Sequence, residues 1–75
     1  MELNEFIKNF AEQFDETEPE EITAETEYHE IEEWSSLTGM SIIAMVKTQY
    51  KKTITGKEIR SCKTVGDLFN LVSSK

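Results

Sequence analysis

The strongest structural signal in the chain is the stretch SSLTGMSIIAMVKTQYKK, residues 35–52. It contains no proline and a single glycine, and its apolar residues recur at helical spacing, so it predicts a helix that ends near residue 51. A serine just ahead of such a run is a good N-cap, because its oxygen can accept a free backbone N–H of the first turn. The pattern therefore places a serine pair at the start of a helix.

Apolar residues follow two faces of this predicted helix. The first stripe comprises Gly39, Ile42, Ile43, Val46 and Tyr50. The adjoining stripe comprises Leu37, Met40 and Ala44, continued by Thr48. A bundle helix at the surface needs only one stripe, so either this helix is covered on several sides or the second stripe is an exposed docking surface. We favour docking, at least for Met40, although a flexible methionine fills core gaps as readily as it serves binding surfaces.

Three further helices are predicted around it. The first is amphipathic, with apolar residues at Leu3, Phe6, Ile7, Phe10 and Phe14. TGKE, residues 55–58, has capping-box spacing and opens a short third helix through Ile59. TVGD, residues 64–67, resembles a second capping-box start and opens a last helix with Val65, Leu68, Phe69 and Val72 on one side. Strand signals are weak, so we predict an all-α four-helix bundle, with three longer helices and one short third helix, in a single domain over residues 1–75.

An acidic stretch, DETEPEEITAETEYHEIEE, residues 15–33, separates the first two predicted helices. It has no sustained apolar period, and Pro19 ends any continuation of the first helix. We expect a long ordered loop that is held to the core by Ile22, Tyr28 and Ile31, with partial disorder as the alternative because of its charge density. Loops of this length are uncommon in small domains and usually have a functional reason.

Charge is divided unevenly along the chain. Residues 1–35 hold thirteen acidic residues and only Lys8, a net −12, whereas residues 36–75 hold seven basic and two acidic residues, a net +5. The total of −7 argues against a nucleic-acid partner, because the phosphates would be repelled. This polarity predicts protein partners that are met through charged surfaces.

Other features of the sequence indicate a protein of the reducing cytoplasm, and we expect a monomer. The N-terminus has no signal-peptide pattern, and no stretch approaches the roughly 20 apolar residues of a membrane span, so we expect a protein that is not membrane-embedded. Cys62 is the only cysteine, which excludes an intramolecular disulfide, and with the lone His29 it cannot make a metal site.

No residues form a recognisable catalytic centre, so we predict that the protein is not an enzyme. A serine nucleophile needs a base, and the sole imidazole, His29, lies in the acidic loop, where we expect it to be exposed and solvated. The loop also lacks the Asp/Asn alternation and the central glycine of an EF-hand. A serine at a helix start is instead a good attachment point for a phosphate-linked prosthetic group, since free N–H groups and a partial positive charge lie there.

Five elements, in their order and spacing, resemble one family. They are the amphipathic first helix, ITAETEYHEIEEW at 22–34, SSL at 35–37, YKKTI at 50–54 and TVGDLFNLV at 64–72. Over most of its length the chain resembles the acyl carrier proteins and their peptidyl and D-alanyl carrier relatives. In that family a phosphopantetheinyl transferase attaches 4′-phosphopantetheine, from coenzyme A, to the serine of an Asp-Ser-Leu motif that opens the second helix. The thiol of the group holds acyl or aminoacyl units as thioesters.

The resemblance implies roles for individual residues. Ser36 is the attachment residue, because it directly precedes Leu37. Partner contacts fall on Leu37, Met40 and Ala44, with the charged residues Glu32, Glu33, Lys47 and Lys51 as further candidates. The acyl cleft and core fall on Ile42, Ile43, Val46, Tyr50, Ile54, Leu68 and Val72. The implied partners are a phosphopantetheinyl transferase and the ketosynthases, ligases or acyltransferases of fatty acid, polyketide or related biosynthesis.

The chain departs from the family in two places. The aspartate before the serine is replaced by Ser35, which keeps the N-cap role without the negative charge. The second helix, acidic in many carriers, has no acid here and carries Lys47, Lys51 and Lys52. Its partners then bind the acidic residues just before the serine or present an acidic surface of their own. Such a charge pattern indicates a specialised carrier.

Two other hypotheses stay open at this point. One is an interaction or scaffold protein with a carrier-like fold and no prosthetic group, in which Ser35 and Ser36 only cap a helix. The other is a small acidic protein that buffers cations, and it rests on the acidic loop alone. The start at Met1, without a flanking linker, fits a discrete carrier, and a module cut from a larger synthase with an added methionine would look the same.

Overall fold

The computed structural model describes residues 2–75, which form four α-helices and no strand. The helices are α1 (Leu3–Ala11), α2 (Ser36–Tyr50), α3 (Gly56–Ser61) and α4 (Val65–Ser73). Two short 3-10 turns, Pro19–Glu21 and Tyr28–Glu30, lie in the connection between α1 and α2. The prediction of an all-α protein is confirmed. Across the same residues, no helix combines the length and the apolar character that a bilayer crossing requires.

The start of α2 depends on Ser35, whose backbone is extended and whose side-chain oxygen accepts the Thr38 N–H at 3.3 Å. The helix ends at Tyr50, one residue before the predicted end. Lys51 follows in the left-handed conformation, with φ 58°, and its N–H donates to the carbonyl of Lys47. This is the geometry in which helices commonly terminate, although glycine adopts it at lower cost.

The first helix is shorter than its apolar spacing suggests. Regular α-helix ends at Ala11, yet Phe14 is still buried. The N–H groups of Gln13 and Phe14 donate three residues back, to the carbonyls of Phe10 and Ala11. These tighter turns continue the right-handed helical path of α1, so Phe14 still points into the core. Its ring lies beside that of Phe10, with the centroids 5.6 Å apart.

Both predicted capping boxes are present. Thr55 accepts the Glu58 N–H at 3.1 Å while Glu58 accepts the Thr55 N–H at 2.9 Å. Thr64 and Asp67 make the same exchange, at 3.0 and 3.2 Å. Each box satisfies two backbone groups at a helix start, which explains why α3 forms although it is only six residues long.

The buried side chains of all four helices and the loop form one hydrophobic cluster. Of the predicted core residues, five are buried: Ile42, Val46, Ile54, Leu68 and Val72. The other two, Ile43 and Tyr50, are partly buried and pack against the cluster. Tyr50 also accepts a hydrogen bond from the Asn9 side chain at 2.9 Å, which joins α1 to α2.

The acidic loop is ordered against this core, largely through Tyr28. Ile22 and Tyr28 are buried and Ile31 is partly buried, as expected. The Tyr28 ring lies between those of Phe10 and Trp34, with centroids 5.5 and 4.9 Å away, and its hydroxyl donates to the Ile59 carbonyl at 2.5 Å. Burial raises the pKa of Tyr28 far above its usual range, so this hydroxyl remains a donor.

The loop also closes over the start of α4. The Val65 N–H donates to the Thr26 carbonyl at 3.0 Å, and the Gly66 N–H donates to the Ala24 carbonyl at 2.8 Å. A Cβ atom on Gly66 would lie 3.0 Å from that same Ala24 oxygen. Glycine is therefore favoured at this position, because a larger residue would require the loop carbonyl to shift.

We expect Gly66→Ala to destabilise the protein by about 1 kcal/mol, although alanine is the better helix former, because the loop carbonyl must move away. Gly56→Ala is the matched control. Its Cβ would meet only the flexible end of Arg60, at 3.3 Å, so its stability should be unchanged or higher. Chemical denaturation of both variants measures the difference. Equal stability of the two would show that the loop yields freely at Gly66.

Candidate functional site

Ser36 is the first residue of α2 and its side chain is exposed. The two serines have different roles, since Ser35 caps the helix while the Ser36 hydroxyl makes no hydrogen bond with any of residues 2–75. Its neighbour Leu37 is 73% exposed. The hydroxyl predicted to carry a prosthetic group is therefore accessible from solvent and is not used by the fold.

The second apolar stripe faces solvent. At about 100° per residue, Ser36 and four of the five predicted docking residues that follow it fall within an arc of about 100° on one side of α2, and the fifth, Lys51, is the C-cap that ends the helix. We call these five residues the α2 face: Leu37, Met40, Ala44, Lys47 and Lys51. All five are exposed, and Met40 keeps 64% of its surface. The opposite side carries the buried residues Thr38, Gly39, Ile42, Met45 and Val46, so α2 is covered on that side alone.

A groove of about 350 Å³ lies beside Ser36, between the first turns of α2 and α3. We call it the α2–α3 groove. Trp34 forms part of its wall and rests on Gly39, where a Cβ atom would lie 3.6 Å from the indole. Met40 and Ile43 line it from α2, and Ile59 and Arg60 line it from α3. Trp34 and Arg60 are residues of this region that carried no predicted role.

His29 also lines the groove, and it is more constrained than the sequence suggested. Its side chain is exposed, but Nε2 lies 3.1 Å from the Ile59 carbonyl and 3.2 Å from the Cys62 carbonyl. Since both partners are acceptors, Nε2 carries a proton and donates to them. The ring also packs on Tyr28, with centroids 4.5 Å apart. The expectation of a merely solvated histidine is wrong in this respect, because His29 ties the loop to the end of α3.

Glu33 holds the two ends of the acidic loop together. Its carboxylate accepts the backbone N–H groups of Asp15, Glu16 and Thr17 at 2.6, 3.0 and 2.9 Å, and the Thr17 hydroxyl at 2.9 Å. Desolvation raises the pKa of this carboxyl, but the amide and hydroxyl hydrogen bonds together lower it by more, so the pKa lies below its usual range. The carboxylate predicted to face a partner is thus engaged within the loop.

The remaining predicted charges have different surroundings. Glu32 is exposed and lines a second, acidic cleft of about 650 Å³ with Glu16, Glu21 and Glu30. Lys47 and Lys51 lie on the α2 face, whereas Lys52 is turned to α4, where it donates to the carbonyls of Val72 and Lys75 at 3.2 and 3.0 Å. No three His, Cys, Asp or Glu side chains of residues 2–75 come together as metal ligands.

The Glu33 contacts predict a specific pH dependence of stability. Because the folded state lowers this pKa, the stabilisation is fully present above the usual glutamate value of 4.5 and is lost as the pH falls through the lower folded value. Glu33→Gln should therefore lower the melting temperature clearly at pH 7 and progressively less as the pH falls below 4.5. Glu32→Gln, which removes the same charge without these hydrogen bonds, is the control. Parallel pH profiles for the two variants would contradict the role of Glu33.

No protein-family model, no curated protein sequence and no solved structure matches the chain at a significant level.

Proposed function

We propose that the protein is an acyl carrier protein, with a four-helix acyl-carrier-like bundle, in which Ser36 carries 4′-phosphopantetheine. The observation that best supports this function is that the two adjacent serines have different structural roles. Ser35 alone caps α2, so the Ser36 hydroxyl is free for a phosphoester bond. The α2 face begins directly beside it, where an enzyme that handles the attached group must bind.

The residues around Ser36 fit the chemistry of this prosthetic group. Its phosphodiester would lie at the start of α2, next to backbone N–H groups and the positive end of the helix dipole. When bound, the group supplies a thiol that holds acyl or aminoacyl units as thioesters. The protein's own part is to expose Ser36, to keep α2 rigid through its cap and its buried side, and to present Leu37 and Met40 to the partner.

Intact-mass measurement tests the assignment directly. After incubation with coenzyme A, magnesium and a broad-specificity phosphopantetheinyl transferase, wild type and Ser35→Ala should gain one phosphopantetheine, and Ser36→Ala should gain none. Ser35→Ala should cost about 1 kcal/mol of stability, because it removes the cap, whereas Ser36→Ala should cost less. Loading of Ser36→Ala at the wild-type rate would refute the assignment.

The same experiment addresses the scaffold hypothesis. If several transferases leave the mass of the folded wild-type protein unchanged, Ser36 is only the first residue of a capped helix. The carrier-like face of α2 then serves an interaction that involves no prosthetic group.

Charge reversal tests whether partners bind the α2 face. We expect Lys47→Glu with Lys51→Glu to slow acyl transfer between the loaded protein and its partner enzyme by at least about tenfold. The stability should change by less than about 1 kcal/mol, because exposed charges contribute little to folding. Lys57→Glu with Lys63→Glu makes the same change of charge at exposed positions outside the α2 face. If the two double variants slow transfer equally, overall charge and not this face controls recognition.

A further inference from the structure

The carboxylate of Glu33 fills an anion site that the backbone at the beginning of the acidic loop forms. Three consecutive N–H groups, those of Asp15, Glu16 and Thr17, donate to it at 2.6 to 3.0 Å, and the Thr17 hydroxyl adds a fourth hydrogen bond. Consecutive amides arranged in this way favour an anion. Because these bonds hold the pKa of Glu33 below its usual range, the carboxylate stays ionised in this site at neutral pH. We call these four hydrogen bonds the Glu33 clamp.

The backbone of the same glutamate is bonded to the start of α2. The Thr38 hydroxyl donates to the Glu33 carbonyl at 3.4 Å and lies 3.3 Å from the Ser35 side-chain oxygen. That oxygen accepts the Thr38 N–H, which is the cap of α2. Thr38 is the one buried residue of α2 with a polar side chain, so its hydroxyl depends on these partners instead of water. Glu33 therefore belongs to both the clamp and the cap.

An apolar contact runs beside this chain of hydrogen bonds. Phe14, directly before the three N–H groups, lies next to Trp34, directly after Glu33, with the ring centroids 6.3 Å apart. Trp34 in turn lies over Gly39, where a Cβ atom would be 3.6 Å from the indole. Both connections lead from the beginning of the acidic loop to the first turn of α2, and Ser36 is the first residue of that turn.

We propose that the acidic loop controls the modification of Ser36, and that Glu33 is the positioning residue through which the loop acts. This inference rests on the proposed attachment of phosphopantetheine to Ser36. With the clamp closed, Ser35 and Thr38 keep the first turn of α2 formed, and the Ser36 hydroxyl is presented at a fixed place. With the clamp open, the cap loses its support from the loop and the first turn frays. A transferase then meets the productive geometry in a smaller fraction of molecules.

Glu33 takes no part in the chemistry of the transfer. In that reaction the Ser36 oxygen bonds to phosphorus and loses its proton to the transferase, while the pyrophosphate bond of coenzyme A breaks and adenosine 3′,5′-bisphosphate leaves. The clamp changes only how often the hydroxyl is in place before the transferase binds. Opening the clamp should therefore raise the KM for this protein and leave kcat nearly unchanged.

The first test measures amide hydrogen exchange by NMR in the unmodified protein. Glu33→Gln should accelerate exchange of the Thr38 and Gly39 N–H groups, in the first turn of α2, about fivefold more than exchange of the Val46 N–H, as expected for the loss of one hydrogen-bonded contact. Val46 is completely buried in the same helix, so its exchange reports the stability of the whole fold.

Two further variants are compared in the same way. Glu32→Gln removes the neighbouring charge without touching the clamp, so its exchange rates should equal those of wild type. Thr17→Val removes one hydroxyl from the far side of the clamp and changes no charge. It should give the pattern of Glu33→Gln to a smaller extent, and it provides a milder variant should Glu33→Gln not fold.

The second test measures the rate of loading by intact mass, with coenzyme A, magnesium and a broad-specificity phosphopantetheinyl transferase. Glu33→Gln and Thr17→Val should raise the KM for the protein with little change in kcat, whereas Glu32→Gln should behave as wild type. Thr38→Val should also raise the KM. The effects of Thr38→Val and Glu33→Gln should be less than additive when the two are combined, because both break the same chain of hydrogen bonds.

The outcomes separate this inference from the proposed function. Equal acceleration of exchange at Thr38, Gly39 and Val46 overturns the inference, because Glu33 then stabilises the whole fold alike. A raised KM with unchanged exchange in the first turn also overturns it, since Glu33 then contacts the transferase directly. Faster exchange in the first turn with wild-type kinetics overturns control by the loop and leaves the carrier function intact. A folded wild-type protein that gains no mass overturns the proposed function, and with it the control of modification.

Discussion

The structure depends on how one aromatic residue of the acidic loop is buried. Tyr28 is completely inaccessible and touches Phe10 of α1 and Trp34 just before α2, while its hydroxyl binds the last turn of α3. A single side chain therefore links the loop to α1, to α3 and to the residue that precedes the cap of α2. A chain of this length can bury only about 60% of its extended surface. The contacts of Tyr28 therefore do much to hold the long loop between α1 and α2 in place.

The surroundings of Ser36 follow from this constraint. Tyr28 and His29 both bind the Ile59 carbonyl, so α3 is held at a fixed distance from the loop. Trp34 packs against Tyr28 with the two rings tilted by 51°, and it lies over Gly39, which fixes the first turn of α2. The α2–α3 groove is the space left between these fixed elements. Its shape is thus determined by the loop as much as by the two helices that line it.

Sequence patterns predicted the helices, both capping boxes and the core positions, because each depends on residues close together in the chain. The apolar pattern of the first helix runs on to Phe14 although regular α-helix ends at Ala11, because tighter turns carry the chain over the last residues. The contacts of Glu33 and His29 could not be predicted, because they join residues 16 to 33 positions apart in the chain. Gly66 of the TVGD stretch is the one local indication that the loop packs closely on α4. The glycine alone does not predict this contact, because the contact depends on the position of the Ala24 carbonyl in the fold.

Under the proposed function, the charges around Ser36 determine which partner surfaces the protein attracts. Because the Glu33 carboxylate is engaged by the loop, the acids that remain available near Ser36 line the acidic cleft, whereas the charges of the α2 face are Lys47 and Lys51. A partner with a uniformly basic surface would be attracted by the cleft and repelled by the far end of α2. A partner with carboxylates near that end gains locally but meets a protein of net charge −7. Selectivity therefore depends on short-range contacts at Leu37 and Met40, since long-range electrostatics favour neither partner strongly.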